Sequence, residues 1–396
     1  MQPLMQQTWL TSAASRALFA ALGAAGATPR FVGGCVRDGL LGRDSSDLDI
    51  AIDQLPEDSM RLLEDSGIKV VPTGLKHGTI TAIHHGQHFE VTALRVDVEN
   101  FGRHAKVAFT DDWRLDAARR DFTINAIYAD GDGQLYDPAG GRADLAAGRV
   151  RFVGDAGQRI AEDKLRILRF FRFQALFGQG APDGDALAAC AAAAPGIGGL
   201  SGERVRDEIF KLLAAPDPSS SLDLMAGAGV LQHVLPAGFR LESIAGTDDD
   251  PLRRLSAIAL GGAEAAQAIA QRLRLSARQG RRLRFLMAPP VQLAATIARP
   301  ALRQLLYDHG SERISDLALQ QGIPELLPSI QAAAPPPFPL SGRDAVAVGM
   351  KPGPGVGKAL RALEAEWRAN DFAADREQLL AELARKNPST GIVEGQ

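Results

Sequence analysis

VGGCVRDGLLGRDSSDLDI, Val32 to Ile50, is the stretch on which the fold turns. Gly33 and Gly34 follow a short apolar run and precede Cys35–Leu41, which can form a helix. Glycines at such a junction let backbone N–H groups approach a phosphate closely, and the helix start adds a favourable dipole. Arg37 falls on the first turn, within reach of the same anion. Asp47 and Asp49 then stand at i and i+2 in an apolar strand whose β-prone run is Leu48–Ile52. Period-two geometry puts both carboxylates on one face. Hard carboxylate oxygens so placed are natural ligands for Mg²⁺ bridging phosphates. A lone Gly-Gly is usually a turn, and a lone Asp-x-Asp usually a solvated strand end. Glycine turn, arginine and carboxylate pair in that order, over so short a span, is a far more specific pattern.

Short β-prone runs surround this stretch. Phe31-Val32, Ile68–Val71, Gly78–Ile83, His88–Leu94 and Gln134–Tyr136 read as strands or strand ends. Thr79–His84 and His88–Arg95, joined around Gly86-Gln87, read as a hairpin. Thr11 or Ser12 can cap an N-terminal amphipathic helix that runs to about Leu22 and ends at Gly23. After Ala161 the chain turns helical, rich in Ala, Leu and Arg, and AAAPPPFP (Ala332–Pro339) reads as a linker. The expected fold class is therefore α+β: an α/β head followed by an all-helical remainder.

Composition narrows the possibilities. Apolar residues make up 45% of the 396 and charged residues 23%, which excludes a wholly disordered chain. With 44 Lys and Arg against 47 Asp and Glu there is no global basic excess, so any nucleic-acid site must be a local patch. Cys35 and Cys190 cannot build a disulfide framework or a cysteine zinc cage, and they suit a reducing cytoplasm. The longest charge-free apolar-leaning runs, Ala17–Pro29 and Leu187–Gly202, are too short and too rich in Gly and Pro to span a membrane. Met1–Thr11 has no Lys or Arg, and Arg16 interrupts the following apolar stretch, so no secretory signal is expected.

Two further clusters carry charge. RRDFTINA, Arg119–Ala126, reads by itself as a charged helix start with Asp121 or Thr123 as cap. EDKLRILRFFRF, Glu162–Phe173, puts Leu165, Ile167, Leu168 and Phe171 on an apolar face, while Asp163, Arg166, Arg169 and Arg172 climb the helix as a polar stripe. By itself that stripe reads as a solvated face with one i,i+3 salt bridge.

GGCVRDGLLGR followed by DLD resembles the signature of the polymerase-beta-like nucleotidyltransferase superfamily. In this form it is similar to class II tRNA nucleotidyltransferases (CCA-adding enzymes) and bacterial poly(A) polymerases. The resemblance implies a polymerase-beta-like head with a small mixed sheet, then helical neck, body and tail. The corresponding ranges are 1–150, 151–215, 216–331 and 338–396. It implies a Mg²⁺-dependent enzyme that adds CCA to the 3′ end of tRNA from CTP and ATP without a nucleic-acid template, releasing pyrophosphate. Asp47 and Asp49 would hold the metal. Gly34, Arg37 and Arg120 would hold triphosphate and sugar, with Asp121 and Asn125 ordering the pocket. Asp163 and Arg166 would read the base, and Arg169 and Arg172 would line the phosphate side. Cytosine and adenine both present an amino donor beside an unprotonated ring nitrogen. A carboxylate beside a guanidinium matches that pattern and leaves buried groups unpaired against uracil and guanine.

Weaker blocks agree with the resemblance: GLKHGTITAI, FEVTALR with Glu90 as a third carboxylate, and SGERVRDEIFKLL as the neck helix. Asp97–Lys106 resembles the family's flexible loop, although Phe101 stands where an acidic residue is usual. Phe338–Leu360 resembles the tail of many members. Other features are set aside. Gly353–Ala359 fails the phosphate-loop template, because Pro352 precedes and Ala359 replaces the metal-binding hydroxyl. His84, His85 and His88 decorate a hairpin without metal-ligand spacing. Arg272–Arg284 holds six arginines in a region free of Asp and Glu. Arg281, Arg282 and Arg284 are its candidates for tRNA phosphates.

Three other readings remain. The runner-up within the family is a poly(A) polymerase or a partial enzyme adding only CC or only A; GLKHGT favours the tRNA enzyme, because the poly(A) branch tends to carry a Gly-basic-basic-Phe stretch there. A catalytically inactive RNA-binding protein is disfavoured by the intact Asp47/Asp49 pair. A transferase acting on a small hydroxyl acceptor is disfavoured by the long helical remainder.

Overall fold

The apolar alternation around Val32–Ile50 builds the centre of a seven-stranded mixed sheet. In the computed structural model, which describes residues 4–101, 104–244 and 247–386, the strand order is β3-β4-β5-β2-β1-β8-β9. The elements in chain order are α1 (Thr8–Thr11), α2 (Ala13–Gly23), β1 (Pro29–Val32), α3 (Gly34–Leu40), β2 (Leu48–Ile52), α4 (Pro56–Asp65), β3 (Lys69–Gly74), β4 (Thr79–His84) and β5 (Gln87–Ala93). A separate ribbon follows, β6 (Arg95–Phe101) with β7 (His104–Phe109), then α5 (Trp113–Ala118), β8 (Tyr128–Ala129), β9 (Leu135–Tyr136) and α6 (Gly141–Ala146). Side chains of residues 97–107, Phe101 included, lie outside the described residues.

β2 pairs with β1 antiparallel and with β5 parallel, in a register that sets Asp49 beside Glu90. Phe31, Ile50, Ile52 and Phe89 are fully buried. The expected N-terminal helix is α2, and the Ser12 side chain accepts from the Ser15 amide at its start. RRDFTINA departs from the helical reading. α5 stops at Ala118, and Thr123–Asn125 forms only a 3₁₀ turn. The physical reason is local: the Thr123 amide donates to the Arg151 carbonyl, 3.0 Å, and the Asp121 side chain caps the Phe122 amide, 2.9 Å. These bonds replace helical ones.

The helical continuation comprises α7 (Ala156–Glu162), α8 (Leu165–Phe177), α9 (Gly184–Ala193), α10 (Gly202–Leu213) and α11 (Ser219–Gly227). α8 buries Ile167, Leu168, Phe170 and Phe171 and packs on α10 and α11. Phe122 ties the RRDFTINA loop to this helix through Phe173, with ring centroids 4.9 Å apart. Residues 1–241 and 268–275 form one unit, and 242–267 with 276–396 form a second.

The second unit contains α12 (Pro251–Ile258) and the beginning of α13 (Gly262–Arg272), then α14 (Ala277–Met287), α15 (Arg299–His309), α16 (Ser311–Gln320) and α17 (Leu327–Ala332). Leu286, Leu302, Leu306, Ile314 and Leu317 make one of its cores. α18 (Gly342–Ala347), α19 (Pro354–Ala369) and α20 (Arg376–Arg385) close around Leu340, Leu363, Trp367 and Leu379. AAAPPPFP runs between α17 and α18 within this unit. Among the described residues no helix is long and apolar enough to cross a membrane.

Gly141 seats α6 against the 3₁₀ turn: a Cβ there would lie 2.0 Å from the Thr123 carbonyl oxygen, a backbone atom. Gly141→Ala is therefore expected to cost about 3 kcal/mol, the upper end of overpacking effects, in urea unfolding. A loss below about 1 kcal/mol would contradict the close approach.

Candidate functional site

Strand β2 delivers the carboxylates. Asp49 lies in the strand, half-buried, while Asp47 is exposed and directly precedes it. Ladder pairing begins only at Leu48, opposite Phe89. Glu90 on β5 is exposed beside Asp49. Burial, then the charges of Asp47 and Glu90, push the Asp49 carboxyl up to about 6 against the pull of Arg120. Among the described residues, no three His, Cys, Asp or Glu side chains gather into a group that could hold a metal ion by themselves. What the sheet presents instead is an open edge of mutually repelling oxygens. A divalent cation relieves that repulsion, so the donor set fits a hard cation that keeps other oxygen ligands.

The glycine turn faces this edge. Gly33 adopts φ 75°, a conformation natural to glycine, as residue before α3. A Cβ at Gly33 would lie 3.7 Å from Asp49 Oδ2, 3.8 Å from Arg120 Nη1 and 3.9 Å from the Asn125 carbonyl. The first two sequence clusters thus meet at one point. Beneath it Cys35 Sγ donates to the Val32 carbonyl, 3.4 Å. Burial, with the nearby Asp49 charge, raises that thiol to about 12, so it stays protonated.

Arg120 is aimed from behind. Its Nε and Nη2 donate to Asp116 Oδ2 at 3.2 and 3.0 Å, and Nε also donates to the Tyr128 hydroxyl, 3.1 Å. Asp116 additionally accepts from Tyr128, 2.8 Å, and from Arg119 Nε, 2.8 Å. Asp116 is 1% exposed. Burial alone would raise its carboxyl, but Arg120 and Arg119 outweigh burial and hold it at about 2. Asp116 was not singled out from the sequence. Its spacing was the available signal, because DAARR sets it i−3 and i−4 from two arginines on one helical face.

Arg37 is buried and fixed as well. Nη1 donates to Asn125 Oδ1, 2.5 Å, and Nε and Nη2 donate to Asp38 at 3.0 and 2.8 Å. Phe177 lies under its guanidinium at 4.3 Å. Gly34 adjoins it, since a Cβ there would lie 3.8 Å from Arg37 Nη2. Asn125 Nδ2 donates to Asp121 Oδ1, 3.1 Å, and Asp121 Oδ2 accepts from Arg169 Nε, 2.7 Å. Burial would raise the Asp121 carboxyl, but Arg169 and the bonds from Asn125 and Phe122 hold it below the usual range. Arg169 lies 3.8 Å from Glu208 on α10, and Arg172 3.2 Å. A ladder of polar contacts therefore runs from α3 through the RRDFTINA loop to α8 and α10.

Asp163 and Arg166 do not bond each other. Asp163 Oδ1 caps the Leu165 amide, 3.0 Å, and Oδ2 accepts from Arg204 Nη2, 2.5 Å. Arg166 pairs with Glu162 and donates to the carbonyls of Arg159, 2.9 Å, and Arg119, 3.3 Å. The i,i+3 bridge of a solvated face is thus absent from this helix start. Glu162, Arg204 and Glu208 lie inside quoted blocks, but no local spacing marks Arg204 or Glu208 as partners of α8. In the second unit the arginine run divides. Arg282 is locked by Asp316 and Asp250, at 2.6 and 3.0 Å, whereas Arg281 and Arg284 are exposed.

A mixed sheet with a carboxylate edge beside a glycine turn defines a nucleotidyltransferase head. Residues 29–151 match the family described as the poly A polymerase head domain, and residues 182–240 the probable RNA and SrmB-binding site of polymerase A. The mitochondrial CCA tRNA nucleotidyltransferase 1 of Mus musculus is 36% identical over 371 residues, covering 89% of this chain and 85% of that protein. The CCA-adding enzyme of Geobacillus stearothermophilus is 41% identical over 203 residues, half of this chain and 49% of its own. The crystal structure of the Bacillus stearothermophilus CCA-adding enzyme in complex with CTP superposes with a TM-score of 0.78 at 28% identity, covering 98% of this chain and 99% of that one. The chain belongs to the family of CCA-adding tRNA nucleotidyltransferases.

The depressed Asp116 carboxyl stabilises the fold above its unfolded value near pH 4, and that contribution fades as the pH falls toward 2. Asp116→Asn should cost about 2–3 kcal/mol at pH 7, from a shift of roughly two units. The difference from wild type should shrink below pH 4 in denaturant melts. A cost that does not change with pH would show that the charge contributes nothing.

Proposed function

We propose that the protein adds CCA to the 3′ end of tRNA, taking CTP and ATP and releasing pyrophosphate, with the nucleotide chosen by its own side chains. One observation carries this reading: Asp49, Gly33, Arg120 and Asn125 converge within 4 Å of a single point, in a chain whose relatives carry this activity in their names. Asp47 and Asp49 would hold Mg²⁺, with Glu90 adjoining. When bound, the ion would supply activation of the tRNA 3′-hydroxyl and charge neutralisation at the α-phosphate and leaving pyrophosphate.

The chain's own groups would do the rest. The Gly33-Gly34 backbone lets a phosphate approach without a side chain in the way. The Nη1 end of Arg120 points at the same place, while Asp116 and Tyr128 fix its other end, so little side-chain freedom is lost on binding. Arg37 would add positive charge from a pinned position, and Arg169 and Arg172 would line the phosphate side from α8.

Asp163 would accept from the base amino group, and Arg166 would donate to the ring nitrogen. Each has another partner in the structure: Arg204 for Asp163, Glu162 for Arg166. Base reading is then an exchange of partners. A base that offers the wrong pattern cannot replace those partners, so seating it would forfeit the exchange at a cost of a few kcal/mol. A cytoplasmic setting rests on two free, buried cysteines, Cys35 and Cys190, which suit a reducing compartment. Helical domains beyond the head would serve as neck, body and tail, with exposed Arg281 and Arg284 meeting tRNA phosphates.

The direct test offers tRNA ending before CCA with CTP alone, ATP alone and both, and sizes the products. Two added residues with CTP and three with both are expected. Long A tracts would instead select a poly(A) polymerase. Asp47→Asn should reduce incorporation by at least ~10³-fold, the scale of losing a group that stabilises charge in the transition state. Turnover near the wild-type rate would refute the metal assignment.

A further inference from the structure

The second unit holds a cleft that the nucleotidyl-transfer chemistry does not use. Its volume is about 430 Å³, and α14 lines one side with Arg281, Arg284 and Phe285. These residues lie at i, i+3 and i+4 and so share a helix face. His309 closes α15 on the other side, and Arg313 comes from the first turn of α16. The volume lies in the range of small-ligand sites.

Its charge is uncompensated. Arg281, Arg284 and Arg313 are exposed, and among the described residues no carboxylate lines the cleft. Nearby acids are committed elsewhere. Asp316 binds Arg253 and Arg282, and Glu312 binds Arg278. The floor is aromatic: Phe285 and His309 are half-buried with ring centroids 5.6 Å apart, and the Arg313 guanidinium lies 5.8 Å from the Phe285 ring.

We propose that this cleft seats one unstacked base of an RNA strand, with its flanking phosphates on Arg281, Arg284 and Arg313. An acidic peptide would use the cations but bring nothing to stack on the two rings. A nucleotide uses both, because every base has a π-face and a phosphate on either side. This deepens the tRNA reading above and rests on it. It also separates Arg282 from its neighbours: with two carboxylates on its guanidinium, Arg282 positions α14 and takes no part in the seat.

The test measures equilibrium binding of tRNA by the full chain across a salt series. Arg281→Gln, Arg284→Gln and Arg313→Gln combined should weaken binding at least ~10-fold and flatten the slope of log K against log salt by roughly two. Phe285→Leu should weaken binding by about fivefold or more with the slope unchanged, and Phe285→Tyr, which keeps the ring, should restore affinity. Affinity unchanged in Phe285→Leu removes the base seat, and an unchanged slope in the triple variant removes the phosphates. Loss of poly-glutamate binding with tRNA binding intact would reassign the cleft to acidic peptides and overturn the proposal. A wild-type protein that binds tRNA but incorporates neither CTP nor ATP sinks the proposed function and leaves this cleft standing. Incorporation by wild type, with tRNA binding unaltered in the triple variant, sinks only the cleft.

Discussion

The ion pair between Asp121 and Arg169 is the joint on which the candidate site depends. Asp121 belongs to the loop that also carries Arg120 and Asn125, and Arg169 belongs to the helix that begins beside Asp163 and Arg166. Both partners are largely shielded, with side-chain exposures of 10% and 30%. Removing one partner of such a pair typically costs 3–5 kcal/mol, because a charge is left buried alone. Through Asn125 the joint reaches Arg37 and the glycine turn, and through Glu208 it reaches α10. The glycine turn beside the carboxylates and helix α8 are thereby held by one ladder of polar contacts. The aromatic contact of Phe122 with Phe173 runs alongside it.

The ladder explains why so much positive charge is tolerated in a small volume. Arg37, Arg119, Arg120, Arg166 and Arg169 each have a carboxylate partner. The partners fix direction as well as charge. Arg120 has one end clamped by Asp116 and Tyr128 while Nη1 faces Gly33. Asp163 and Arg166 differ in kind, since their partners, Arg204 and Glu162, occupy the groups that would read a base.

Parts of this were legible because their causes are local. β2 begins and ends where the apolar run Leu48–Ile52 does, and the β4–β5 hairpin follows the turn at Gly86. The glycine turn and carboxylate pair lie within a few residues of each other, so spacing alone draws attention to them. RRDFTINA misled because its two candidate caps are used otherwise: Asp121 accepts from the adjacent Phe122 amide and the Thr123 hydroxyl donates to Asp144, while the Arg151 carbonyl, far along the chain, takes the amide a helix would have used. The roles of Arg204 and Glu208 depend on α10 crossing α8, and no periodicity in either helix announces that. The second unit teaches the same lesson within one helix. Arg281, Arg282 and Arg284 are equivalent in sequence, yet Asp250 and Asp316, both more than thirty residues away, remove Arg282 from the surface charge.

On the proposed function, side chains at the start of α8 dictate the nucleotide. That choice is tested most directly by offering tRNA ending before CCA an equimolar mixture of all four triphosphates and sequencing the products of wild type and Asp163→Asn. The asparagine keeps an oxygen to cap the Leu165 amide but also offers a donor. Wild type should add only C and A, and Asp163→Asn should admit U or G at a readily detected fraction. Unchanged selectivity in Asp163→Asn, at whatever rate, would mean that Asp163 does not choose the base.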